Sequence, residues 1–311
     1  MRNKLKLNAL AAAIVTVTCV PAAQALAITA AVDWTLDGGP LSSDIDGPAA
    51  AGSVDVLGYD TAAIVPPSTA PSNIFYHTYG STGGNFGSRV NGYGEYDISG
   101  VFTYQDTVTN TSGSAQAYNF GFTVIPGELA LFSSPGAGEF VLAEYDIDIL
   151  VNGSSIWGSS ATLSGDDTGN TFTTAGTSLG GTLSANEYSW GSYSDTLGLG
   201  TLAAGTSLNF EYILTARAAG NCFSGDYIAP PPGAADEGGD FIIRDFNGEG
   251  DGGGYYSDCG SIARSGDPFH IGSNGPGQIY ATSVPEPATV ALLGLGLAGL
   301  VATRRRKVNT K

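Results

Sequence analysis

Positive charge is what this 311-residue chain has least of: 12 Lys and Arg stand against 29 Asp and Glu. Most of the 12 sit at the extreme ends, so that residues 28–283 hold only Arg89, Arg217, Arg244 and Arg264, with no lysine at all. Against 28 acids in the same stretch, the formal charge there is −24. A field of that sign repels phosphate, which excludes nucleic acid as a partner. Imidazole and thiol are scarce too. His77 and His270 are the only histidines and there are three cysteines, too sparse a set for a zinc cluster. Charged residues make up 13% of the chain, about half the usual share. Yet 42% of residues are hydrophobic, which excludes plain disorder. Between the two ends no long stretch repeats apolar residues at helical spacing, so no long helix is expected there. What is abundant is Gly (46), Tyr (15) and Phe (13), a composition that suits an exported all-β protein.

Both ends read as addresses. Residues 1–27 begin with Met1-Arg2-Asn3-Lys4-Leu5-Lys6, continue as an apolar run over 7–20, and finish in Pro21-Ala22-Ala23-Gln24-Ala25-Leu26-Ala27. A basic start, a short apolar core and a small-residue cleavage site make a secretory signal peptide, cut after Ala25 or Ala27 and engaged by the Sec export machinery. Cys19 falls inside the apolar run and is removed with it. At the other end, over 284–311, Val284-Pro285-Glu286-Pro287 precedes an uncharged stretch, 288–303, and then Arg304-Arg305-Arg306-Lys307. Sixteen helical residues rise about 24 Å, slightly less than a hydrocarbon core of about 30 Å. The cationic cluster stays cytoplasmic, which places 28–283 outside. Pro285 and Pro287 keep the short motif extended at the outer interface. Temporary retention and a permanent single-pass anchor both fit this pattern.

This tripartite tail resembles the PEP-CTERM sorting signal of Gram-negative bacteria. The resemblance covers about the last 27 residues. It implies processing by an exosortase-type membrane protease and a host that makes exopolysaccharide. It implies nothing about the fold of the body.

The body, 28–283, keeps Cys222 and Cys259. In an oxidising compartment an even pair points to one disulfide, closing a loop of about 36 residues; two free thiols or two metal ligands are the other readings. Strand patterns appear at 53–60, 73–78, 95–110, 115–125, 140–151, 171–174, 182–183, 188–197, 207–218, 241–245 and 278–281, mostly separated by Gly, Asn, Asp and Ser. Asn110-Thr111-Ser112-Gly113-Ser114 is a turn between two of them. Residues 37–52 and 228–239 read as loop. Ala-Gly-Thr-Ser-Leu occurs at 175–179 and again at 204–208. The second copy resembles the turn that enters a late strand in secreted immunoglobulin-like sandwich modules. Many short strands with Gly-rich turns predict an all-β body, a β-sandwich or jelly roll in a single domain with long loops, between an N-terminal signal helix and a C-terminal transmembrane helix.

Four patterns carry candidate chemistry. Asp245, Asn247, Glu249 and Asp251 place oxygens at alternate positions like the first half of a calcium loop, although Tyr256 stands where that loop has its bidentate Glu. Asp37, Asp44 and Asp46, and the pair Asp166 and Asp167, are weaker versions. Glu144, Asp146 and Asp148 alternate along a strand, which puts all three on one face about 7 Å apart, a spacing open to a glycosidase pair and equally to a solvated face. Gly176-Thr177-Ser178-Leu179-Gly180, followed by Asp195 and His270, matches a hydrolase order, but the motif requires a helix after the serine and the sequence predicts none. Trp34, Trp157 and Trp190, with Tyr188 and Tyr193, are core or sugar-stacking residues.

The expectation is a non-enzymatic structural or adhesive protein, exported, held by its tail through the membrane, and left with the exopolysaccharide or biofilm. No cofactor is required, with calcium the one candidate. A secreted carbohydrate-active enzyme and a calcium-stabilised adhesin are the alternatives.

Overall fold

The computed structural model describes residues 26–62, 72–132, 134–222, 259–265 and 278–283. The described residues are all-β, with no helix. In chain order the strands are β1 (Ala27–Leu36), β2 (Ser42–Ala49), β3 (Ser53–Thr61), β4 (Asn73–Ser81), β5 (Phe86–Tyr93) and β6 (Glu95–Thr109). Next come β7 (Gln116–Val124), β8 (Gly127–Leu131), β9 (Phe140–Val151), β10 (Ser154–Asp166), β11 (Gly169–Gly176) and β12 (Thr182–Leu183). The last five are β13 (Glu187–Trp190), β14 (Tyr193–Leu202), β15 (Ser207–Asn221), β16 (Gly260–Ser265) and β17 (Gln278–Ser283).

A seven-stranded sheet in the order β11-β10-β9-β15-β6-β1-β2 forms one layer. A second, ordered β12-β13-β8-β16-β5-β4-β3, faces it, and a three-stranded sheet, β14-β7-β17, completes the cover. All pairings are antiparallel. The long sheet buries alternate residues: Ile28, Ala30 and Val32 on β1; Ile98 and Phe102 on β6; Tyr145, Ile147 and Ile149 on β9; Phe210, Tyr212 and Leu214 on β15. This period of two is what one covered face demands. Phe102 stacks on Phe86 of the facing sheet with centroids 4.7 Å apart, while Phe210 meets Phe120 of the three-stranded sheet at 4.5 Å. One inner face is thus covered by two sheets in succession.

The seam between those two covers lies where β7 gives way to β8 at Ile125-Pro126, and β13 to β14 at Gly191-Ser192. Pro126 has no N–H to give a ladder. The Trp190 indole N–H donates to the Ile125 carbonyl at 3.1 Å and closes the break. The run expected at 188–197 is therefore two strands, not one.

Residues 37–52 hold a correction. They include β2, paired with β1 through Ala31↔Ile45 and Val32↔Asp44. β2 is exposed along most of its length, so backbone bonds rather than an apolar face hold it, and its Ser-, Asp- and Gly-rich sequence gives no periodic signal. The strand patterns also missed β1, β5, β8, β10 and β16. The β9–β10 hairpin did have a signal, Asn152-Gly153, whose positive φ values of 51° and 76° are those of a two-residue hairpin turn. The expected strand at 241–245, the loop at 228–239 and both terminal helices lie outside the described residues.

Gly80 lies where a Cβ would stand 2.0 Å from the buried Phe102 ring, whereas nothing lies within 4 Å of a Cβ at Gly113. Gly80→Ala is expected to overpack the core and cost about 1–3 kcal/mol, read as a lower urea midpoint. Gly113→Ala should leave the midpoint unchanged.

Candidate functional site

The C-terminal strand brings the chain to its sorting motif. Among the described residues β17 is an edge strand, paired with β7, and its last residue Ser283 stands opposite Gln116. Ile279 packs against the core, while Tyr280 is exposed. The Thr282 hydroxyl donates to the Ala117 carbonyl at 3.3 Å. Val284, Pro285, Glu286 and Pro287 follow at once, with no linker between sheet and motif. These four residues, and Arg304, Arg305, Arg306 and Lys307, lie outside the described residues.

Around the exit of β17 the turns are tied together. Asn110 is fully buried, and its side-chain amide donates to the carbonyls of Ser114 (2.9 Å) and Leu202 (2.8 Å). Its own carbonyl accepts from the Gly205 N–H at 2.8 Å, which joins turn 110–115 to turn 203–206. Gly205, in the second Ala-Gly-Thr-Ser-Leu copy, takes φ +74° as the chain enters β15. The sequence marks Asn110 as a turn residue but gives no sign that it clasps two turns.

The opposite end carries the cysteines. Cys222, just after β15, and Cys259, just before β16, are disulfide-bonded with Cα atoms 5.7 Å apart. The buried Glu139 carboxylate lies within 4.8 Å of both sulfurs, so an acid, unmarked in the sequence, completes this cluster. Its Oε2 accepts the Gly136 N–H at 2.6 Å. With the two sulfurs joined to each other, the cluster is a structural clasp rather than a ligand set. The calcium candidates Asp245, Asn247, Glu249 and Asp251 fall between these cysteines in sequence and outside the described residues. Three of the weaker acidic candidates are taken up in structural hydrogen bonds: Asp46 accepts the Asp55 N–H at 2.8 Å, Asp37 accepts the Ser72 hydroxyl, and Asp166 accepts the Thr168 N–H at 2.8 Å. The Thr168 bonds hold the Asp166 carboxyl below its ordinary range.

Glu144, Asp146 and Asp148 project from the outer face of β9, alternating with buried Tyr145 and Ile147. Arg217 of β15 lies beside them. It grips Asp97 with two bonds of 2.9 and 2.8 Å and approaches Glu144 at 3.7 Å. Asp148 accepts the Ser155 hydroxyl at 2.6 Å. Partial burial, and then the Asp148 charge, raise the Asp146 carboxyl above its usual range. These acids sit on the outer side of a continuous sheet, flanked by β10 and β15.

Two further cations stand on the outer face of the facing sheet. Arg89 lies over the Phe75 ring, 5.3 Å from its centroid, and Arg264 pairs with Glu128 at 3.0 Å. His77 Nε2 lies 3.0 Å from Asp55. Burial lowers the His77 pKa, and Asp55 offsets part of that shift.

Among the aromatic candidates, Trp157, Trp190 and Tyr188 are buried, with Tyr145 packed on Trp190 at 4.5 Å. They are core residues and their faces are not open to sugar. Trp34 is half-buried against Tyr76, and its indole donates to Asp60 at 3.0 Å. The Gly176–Gly180 match is not an elbow, in line with the absence of a predicted helix after it. It lies between β11 and β12 with no helix after it, and the Ser178 hydroxyl accepts the Gly180 N–H at 3.2 Å. Asp195 is occupied by the Thr196 N–H at 2.7 Å, and His270 is outside the described residues.

Residues 283–307 match the PEP-CTERM protein-sorting motif. The match starts on the last residue of β17. Among curated proteins no match is found. The chain is accordingly an exported protein sorted to the cell envelope, carrying the signal that an exosortase-type membrane protein processes after Sec export.

The disulfide closes a loop of sequence separation 37. Replacing both cysteines by Ser is expected to cost about 3–4 kcal/mol in the chain-entropy account. Chemical denaturation of the double variant, and of the native chain with and without dithiothreitol, measures that loss.

Proposed function

We propose that the body is a non-enzymatic display module, a structural or adhesive β-sandwich that the envelope of a Gram-negative host presents to its own exopolysaccharide matrix. The observation that supports this reading most is the direct passage of β17 into the sorting motif at Ser283. The tail thereby acts on the folded sandwich itself. The acids on the outer faces add to the reading, since a surface of formal charge −24 stays hydrated and repels its copies. In the native host, fractionation should find the protein in the surface or matrix fraction, and a chain stopped at Ser283 should pass into the medium. Recovery of the full chain only from the cytoplasm would overturn the proposal.

A carbohydrate-active enzyme is the second reading. The raised Asp146 carboxyl beside Asp148 favours it, because unequal carboxyls can serve as acid and base. Asp146→Asn separates the two. On the display reading the variant loses no function, and its urea midpoint at pH 7 is equal or higher because a disfavoured charge is gone. That gain is present above the raised native pKa of Asp146 and is lost as the pH falls below the ordinary aspartate value of about 3.9, where the carboxyl is protonated in both folded and unfolded chains. On the enzyme reading, turnover of the host polysaccharide is abolished.

A further inference from the structure

The two ends of the sandwich differ in charge. Turns 50–52, 82–85, 110–115, 152–153 and 203–206 all point the same way as the C-terminus of β17. None of them contains Asp, Glu, Lys or Arg. Apart from Glu286 of the sorting motif, the nearest charged side chains among the described residues, such as Asp55, Asp106 and Asp148, are set back by three residues or more, about 10 Å at the strand rise. The first strand also starts near this end, with Ala27 opposite Gln105. The other end holds Asp37, Glu95, Glu139, Asp166 and Asp167. From its disulfide departs the segment 223–258, which has eight acids and one base in its sequence.

The tether decides which end meets the membrane. Four residues separate Ser283 from the uncharged run that begins at Ala288. Fully extended they span about 13 Å. The headgroup layer takes up about 5–7 Å of that reach, so charges at this end would lie within about one Debye length, about 8 Å, of the lipid phosphates. The acidic end lies about 50 Å away, the length of a strand of 15 residues such as β15, and is screened from them. An acidic end at the bilayer would be repelled; an uncharged one is not.

We propose that the uncharged end, built by turns 110–115, 152–153 and 203–206 around the exit of β17, is the surface that rests against an anionic lipid bilayer, with the acidic end held outward. The inference rests on reading the tail as membrane-held. Asn110 fixes two of the turns to one another, and Asn152 fixes the third through its bonds with Asn209, at 2.8 and 2.9 Å. The surface is therefore a preformed plate rather than three independent loops.

The test uses the full chain reconstituted into phosphatidylglycerol vesicles that carry an acceptor-labelled lipid. A donor dye is placed on Ser112→Cys or on Thr168→Cys. Energy transfer from position 112 should be several-fold stronger than from position 168. Adding Ala203→Glu and Ala204→Glu to the Ser112→Cys chain should weaken the transfer at low salt and not in neutral vesicles. Equal transfer from the two donors, with the chain co-floating with the vesicles, would overturn the inference and leave the tail reading standing. So would two added Glu without effect, as regards the role of charge. A chain that fails to co-float would overturn the tail reading itself, and the inference with it.

Discussion

The long sheet exposes an apolar inner face that no single facing strand can cover. β6 and β15 run for 15 residues each, about 50 Å at the usual rise. Their inward rows, from Ile98 to Val108 and from Leu208 to Ala218, are at most 4% exposed where they carry buried hydrophobic side chains. Leaving such rows open would cost about 25 cal/mol for each Å² of apolar surface. The chain meets that demand with two covers and a seam. The break at Ile125-Pro126 and Gly191-Ser192 separates β7 and β14 from β8 and β13, and Trp190 seals it against Ile125. Because the cover is split, β7 keeps a free edge beyond the seam. β17 fills that edge, and the sorting tail leaves from there.

Much of this was legible in the sequence because alternation is a local property. The strand expected at 140–151 coincides with β9, and those at 95–110, 115–125 and 207–218 lie within a few residues of β6, β7 and β15. The missed strands failed for separate physical reasons. β16 is buried along almost its whole length, so period two disappears. β10 alternates Gly, Ser and Ala with few large residues, and the small side chains that let it pack closely also hide it. β2 has no buried face to announce it.

The candidate site was legible unevenly. The sorting motif is a contiguous string, so a reader of the sequence can find it. That Glu144, Asp146 and Asp148 share a face follows from strand geometry, and the structure places them so. Arg217, which approaches Glu144, is itself bonded to Asp97 120 positions away, and that link is invisible before folding. The same holds for Glu139 beside the disulfide and for Asn110 as a clasp between turns. The aromatic residues show the opposite limit: their chemistry permits sugar stacking, and only burial decides that Trp157 and Trp190 do something else.

Among the described residues β2 is the last strand at one margin of the long sheet. Such a margin is a template onto which another molecule's strand can add. Molecules crowded on one envelope would meet margin to margin far more often than in dilute solution. Asp44, Asp46 and Pro48 lie along this strand, two repelling charges and one residue that cannot donate to a ladder. The sequence features that hid β2 as a strand are the ones that keep neighbouring copies from polymerising through it.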